Sequence, residues 1–408
     1  MKKFKLMIFI IIYIAHAKSY AGGFSSDPSI REAPPATDTQ TQGLIHALTG
    51  INPNDVDLLK ERNIRFGGAI GAGITYNPAS PTDRSNGPMI FNDRSNEFQF
   101  NRFRLFLQKD VNLSGNNWDI GGRFDFVVGA DARYAAAIGL DDKFTTKNRF
   151  NKVALPQFYA QIFAPYGNGI TAQIGHFFTL IGSATPFYSL SYTAFSEPSS
   201  HTGVLLNTPL NDNLTISAGA VLGTVDTLDN FDNNPGTWNF LGSATWAKAS
   251  TAAMLSVVSG DDNSDLSGLG KQSSNRTHAS LVLTQDFAQK WHYKFQHDYG
   301  YQAQGFNATA APWYGIEQDL MYDVTDQLTA GLRAEWFRDQ EGLKVMYNGI
   351  PTTYYGMTAG LFWKPVKWIT VRPEVRYDIS SNPVYNVQNG IATDQQQFSF
   401  ATSFAVRF

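Results

Sequence analysis

The sequence predicts an all-β fold: a transmembrane antiparallel up-and-down β-barrel of about 16 strands, with short periplasmic turns and long extracellular loops. Three observations carry that expectation. The chain opens on an export signal, its body consists of period-two segments separated by gaps that are alternately short and long, and its last strand stays apolar on one face up to Phe408.

The signal comes first in chain order. Lys2, Lys3 and Lys5 form a positive region, Leu6 to Ile14 is an apolar stretch, and small-residue cleavage sites follow at Ala15-His16-Ala17 and Ser19-Tyr20-Ala21. The apolar stretch is too short to be an anchor, because a helix needs roughly 20 residues to cross a bilayer. Residues 1–21 are therefore expected to be removed as a signal peptide. Residues 22–63 form a periplasmic N-terminal segment. Gly22 to Thr41, rich in Ser, Pro, Thr and Asp, is expected to be disordered, and a short helix follows, with Asn52 as N-cap and Pro53 at its first position. It could sit in the lumen as a partial plug, but a periplasmic tail is the simpler expectation.

The barrel is expected over residues 64–408. No later apolar run approaches the length of a spanning helix. Charged residues make up only 16% of the chain while Phe, Tyr and Trp are abundant, which suits a sheet with one face in lipid. Lys and Arg number 32 against 35 Asp and Glu, so no basic footprint for nucleic acid is present. The absence of cysteine fits an exported chain without disulfides.

The clearest alternating segments are Trp118–Phe126, Trp291–Tyr299 and Ile369–Asp378, each apolar or aromatic at one parity and polar at the other. Short gaps fall near 113–117, 164–169, 208–213, 247–250, 287–290, 325–327 and 364–367. Long ones fall near 77–96, 129–152, 179–200, 224–237, 260–275, 302–312, 339–353 and 379–395. Tight turns on one side and extended loops on the other are how an outer-membrane barrel is built, and an even strand count puts both chain ends in the periplasm. Parity shifts around Asn101, which predicts a β-bulge there. All eight tryptophans lie near proposed strand ends, as membrane-interface girdles require.

Three stretches also suggest a family. Gly331-Leu332-Arg333-Ala334-Glu335-Trp336-Phe337-Arg338-Asp339, then Lys364-Pro365 with Ile369 to Asp378, and Ser200-His201-Thr202-Gly203-Val204 resemble the outer-membrane β-barrel porin family described as OmpL-like, of porin-2 type. The resemblance covers most of the mature chain and is sharpest in the final third. It implies a pore-forming barrel in the outer membrane of a Gram-negative bacterium and supplies no catalytic residues.

Pore-lining candidates follow from the polar parity. They are Arg102 and Arg104, Arg123 and Asp125, Glu317 and Asp319, Arg333 and Glu335, and Arg372, Glu374 and Arg376. A midplane Arg or Lys facing lipid costs about 2–4 kcal/mol, so such residues belong inside. Closing the barrel brings the first and last strands together. Arg102, Arg104, Arg123, Arg372 and Arg376 are then expected to form a basic wall, with Glu317, Asp319 and Glu335 as acidic counterparts, a field that would set ion preference. The alternative is that these residues only tie adjacent strands together as ion pairs.

The gap at 179–200 carries Phe187, Tyr188, Tyr192 and Phe195 with a single charge, Glu197. Such a loop either folds inward and narrows the pore or packs on a neighbouring subunit. The histidines show no nucleophile constellation, so no enzyme is expected. Asp261 to Asp265 superficially resembles a calcium loop, but Leu266 and Gln272 stand where Gly and Glu are required. The expected function is passive diffusion of small hydrophilic solutes or ions, with outer-membrane lipid as surroundings, no cofactor, and association into a homo-oligomer left open. The alternatives are a closed or gated barrel acting as a substrate-specific channel, a surface anchor or adhesin, or a lipid-face enzyme.

Overall fold

The computed structural model describes residues 43–408 apart from 115, 145–149, 226–227, 230, 232–236, 262–273 and 307–309. The expected signal peptide, the stretch 22–41 and most of the calcium-like loop lie outside the described residues. Strands follow in chain order as β1 (Ile64–Tyr76), β2 (Phe98–Lys109), β3 (Asp119–Gly129), β4 (Lys152–Ala164), β5 (Ile170–Phe178), β6 (Ser200–Pro209), β7 (Leu214–Leu222), β8 (Thr224–Val225), β9 (Leu228–Asp229) and β10 (Trp238–Lys248). They continue as β11 (Thr251–Asp261), β12 (Asn275–Phe287), β13 (Trp291–Gln302), β14 (Ala311–Thr325), β15 (Leu328–Asp339), β16 (Thr352–Val366), β17 (Ile369–Ser380), β18 (Tyr385–Gln388), β19 (Ile391–Asp394) and β20 (Gln396–Arg407).

Sixteen of these close into one antiparallel barrel, each strand pairing with its neighbours in sequence and β20 returning to β1. The remaining four form two loop hairpins, β8 with β9 and β18 with β19. Closure leaves no unpaired edge, which a bilayer demands because no water is there to satisfy one. No described helix is long and apolar enough to cross a membrane.

Alternation places the two faces. Leu255, Leu332, Met357, Phe400 and Phe404 point outward and are exposed, while their neighbours Ser256, Arg333, Thr358, Ala401 and Ser403 point inward and are buried. At the expected point, the register between β1 and β2 slips by one: Gly71 faces Arg102 and Ala72 faces Phe100, so Asn101 is the bulged residue. Trp118, Trp238, Trp246 and Trp363 are exposed near strand ends, as girdle residues should be. Trp313 departs from that expectation. It has inward parity and is fully buried in a cluster with Tyr192, Phe337, Tyr354 and Tyr385.

Before β1 the helical stretch expected from Gln42 is broken into three pieces among the described residues, the first an α-helix over Leu44–Thr49. Asn52 does cap, its side chain accepting from Asn54 N at 3.1 Å, but the turn it starts is a 3-10 turn over Pro53–Asp55. Val56 is extended, and helix resumes only over Asp57–Lys60. The segment is pinned to the barrel end where β1 begins and β20 ends: Asn54 bonds Phe66 N (2.7 Å) and O (3.1 Å) through its side chain.

Candidate functional site: the constricted barrel interior

Between β5 and β6 the chain turns into the barrel. A loop inside a protein must find a partner for each peptide N–H and C=O, and here charged side chains of the wall supply many of them. Glu374 on β17 accepts from Tyr188 N (2.8 Å) and Ser189 N (3.0 Å) through its two oxygens. Glu335 on β15 accepts from Tyr192 N at 2.5 Å. In the other direction Arg333 donates to Ser189 O (2.7 Å), Arg376 to Leu190 O (2.8 Å), Arg372 to Pro186 O (3.3 Å) and Lys294 to Ala184 O (3.3 Å). Charge-assisted bonds of this kind are roughly twice as strong as neutral ones.

The aromatic side chains that made this segment conspicuous add the packing. The Tyr188 hydroxyl donates to the bulged Asn101 at 2.9 Å, so the register slip positions an anchor for the loop. Gly73 on β1 leaves room for that tyrosine: a Cβ there would lie 2.7 Å from the phenol ring. Tyr192 donates to Asp378 (2.9 Å), lies 2.7 Å from the Tyr385 hydroxyl and stacks on Tyr354 with centroids 4.8 Å apart. Phe187 packs edge-on against Phe362. Of the two readings left open by the sequence, the inward fold is the one adopted.

All eleven candidates face the interior, none more than 7% exposed. The structure does not arrange them as a basic wall opposite an acidic one. Arg104 and Arg123 both bind Asp125, at 2.5 and 2.9 Å. Arg102 pairs with Asp131 from the loop after β3 at 2.7 Å. Arg376 lies 3.0 Å from Glu335 and 2.8 Å from Asp378, and Arg333 lies 3.4 Å from Glu335. Glu317 and Asp319 share Lys294, at 2.7 and 2.9 Å. Neutral pairs replace the expected field because Arg123, Arg333 and Arg376 each have a carboxylate two residues further along the same strand face, Asp125, Glu335 and Asp378.

Three further segments turn inward. Phe91 O accepts from Asn101, Arg133 pairs with Asp93 at 2.9 Å, and the Asp339 carboxylate caps the N–H groups of Leu343, Lys344 and Val345, setting Lys344 over the Trp313 ring at 4.1 Å. Sequence reasoning missed Lys294, Gln296 and Asp298 as interior groups although they occupy the polar parity of a segment it read. Nothing in the sequence marked Asp131. It also missed a cluster in which His176 Nδ1 lies 2.8 Å from Thr202 Oγ1, which donates to Asp229 at 2.6 Å. His176 and Thr202 share the outward parity of Ile174 and Val204, yet His176 is buried with Asp229 at the loop end, where Ile138 N also donates to Asp229 O. They tie two loops to the wall.

A closed barrel with an inserted loop defines a class, the outer-membrane channels. The chain belongs to the family described as beta-barrel porin-2, OmpL-like, whose model matches residues 63–408. No curated protein matches it by sequence. Among solved structures it resembles the outer membrane channel DcaP of Acinetobacter baumannii (TM-score 0.57, 11% identity, 85% of this chain and 97% of that one). It also resembles an anion-selective porin from Comamonas acidovorans (TM-score 0.55, 10% identity, 85% and 99%) and Salmonella typhi OmpF in complex with daunomycin (TM-score 0.56, 10% identity, 85% and 97%). At such identity these likenesses speak to the fold. Family and fold together place the chain in the Gram-negative outer membrane as a channel for passive diffusion.

Proposed function

We propose that solutes cross through a narrow passage between the inserted 179–199 loop and the facing wall, and that the eleven charged candidates hold that loop or pair within the wall rather than touch the solute. The observation that carries this is their burial together with the bonds from Glu335, Glu374, Arg333 and Arg376 to loop peptide groups. Reconstituted mature protein should give stepwise channels in a planar bilayer, smaller than those of a version in which 184–192 is replaced by a short Gly-Ser linker. Equal conductance in the two would refute a constricting role for the loop. Within this reading the chain performs no catalytic step.

A second reading has its own support. The many buried interior contacts favour a channel restricted to few solutes over an open diffusion pore. We further propose that residues 1–21 are removed on export and that 22–63 stay on the periplasmic side. The pairing of Asn54 with Phe66, and of Gly68 with Phe408, supports that placement, because it sets residues 52–63 against the rim where β1 begins and β20 ends.

A further inference from the structure

The interior is two-sided in a way that its charge totals conceal. Cross-strand pairing runs the inward face continuously round the barrel, so each inward residue can be followed from strand to strand. From Ala154 on β4, through β5, β6, β7 and β10, to Gly260 on β11, no Asp, Glu, Lys or Arg occupies that face. The buried ionic side chains fall on β2, β3, β12 to β15 and β17, and residues 184–192 of the loop lie against that same arc. The two halves also differ in what remains for a solute. On the charged arc, mid-barrel groups are buried and engaged with one another or with loop peptide groups. On the other arc, Gln161 faces Gln173 across β4 and β5, and Ser243 and Thr245 lie on β10. These four side chains are partly exposed, and among the described residues none has a protein hydrogen-bond partner. Above them the same face turns apolar, with Leu205, Leu241 and Val258 packed beneath Ile181 at the root of the loop.

We infer that permeating solutes travel along this uncharged arc and that the channel favours small neutral hydrogen-bonding molecules with an apolar face, the chemistry of sugars and polyols, over ions. The inference rests on the passive-channel reading and adds the solute class. Selectivity in a pore follows the groups that meet the solute. Here those are amides and hydroxyls, which can replace the water lost by a hydroxylated solute but offer an ion no counter-charge. Behind the loop Arg104, Lys294 and Arg376 each have an anion within contact distance, so these paired charges contribute little field.

The test uses the mature full chain in liposomes and planar bilayers, as wild type and as Gln161→Glu/Gln173→Glu. Both changes are isosteric at half-exposed positions, so the barrel should fold. Expected are wild-type channels whose cation-to-anion permeability ratio lies within about twofold of one. Liposome swelling should be faster with a neutral hexose than with a hexonate or an amino sugar of the same size, and the double variant should shift several-fold toward cations. Channels with strong ion preference in the wild type, or a preference the variant does not move, would overturn the inference and leave the passive channel standing. A refolded barrel that gives no channels would overturn both.

Discussion

Replacing Glu374 by alanine withdraws the acceptor of two consecutive loop N–H groups, Tyr188 at 2.8 Å and Ser189 at 3.0 Å. Both donors are buried. A hydrogen bond to a charged group is worth about 1.5–3 kcal/mol, so the loop loses about 3–6 kcal/mol of docking free energy. At about 1.4 kcal/mol per factor of ten, its docked-to-undocked ratio falls by about two to four powers of ten. The remaining grips, Arg333 on Ser189 O, Arg376 on Leu190 O and Tyr192 on Asp378, moderate that loss without replacing it. Single-channel recording should show larger mean conductance and more open-channel noise in Glu374→Ala, with Glu374→Gln in between because it keeps one acceptor oxygen. Resistance of the folded barrel to heating in detergent should stay near that of the wild type, since the strand pairing around Glu374 is untouched. A correctly folded Glu374→Ala with wild-type conductance and noise would show that these bonds do not hold the constriction.

Three more outcomes follow from the same interior. Gly73→Val sets a side chain where the Tyr188 ring lies, breaks the Tyr188 to Asn101 bond and should raise conductance much as Glu374→Ala does; an unchanged channel would mean that the tyrosine yields freely. Asp125→Leu should cost about 3–5 kcal/mol in urea unfolding, because it strands both Arg104 and Arg123, whereas Arg104→Leu should cost less, because Arg123 and Gln157 still bind Asp125; equal costs would refute that sharing. Glu197 in the loop faces Asp298 on β13, Glu317 on β14 and His278 on β12, and burial followed by the charges of Asp298 and Glu317 pushes its carboxyl well above the ordinary range. A group raised in this way stabilises the docked loop while protonated, and that contribution fades as pH climbs from the ordinary carboxylate value through the raised one. Channel conductance should therefore grow with pH, and Glu197→Gln should flatten the curve; a parallel curve in the variant would exclude Glu197 as its source.

The barrel was legible because strand alternation has a period of two and turns alternate in length, and both are local properties that survive in any window of the sequence. The parity shift at Asn101 was legible for the same reason. What escaped was everything decided by partners distant in sequence. Arg102 looks like an unopposed cation until the loop after β3 brings Asp131 beside it. Trp313 sits near a strand end like its seven counterparts, and only the inward turn of 343–346 reveals that it lies under Lys344 instead of at a lipid interface. The composition of 179–200 announced a loop unsuited to water, but the choice between lumen and neighbour depended on wall residues more than a hundred positions later. The uncharged arc was present in the sequence as well, though its meaning needed the register that joins β4 to β11.

The loop's anchors also bear on how such a chain is put together. Tyr188 meets Glu374 across 186 positions and Tyr192 meets Tyr385 across 193. Contacts that distant in sequence form only once the intervening chain has been closed, and the entropy of closing long segments makes them late. The constriction is then among the last features to appear in assembly. Until β15 and β17 arrive, the most aromatic loop of the chain lacks most of its anchors, so a half-built barrel is both the widest and the stickiest state that this protein passes through.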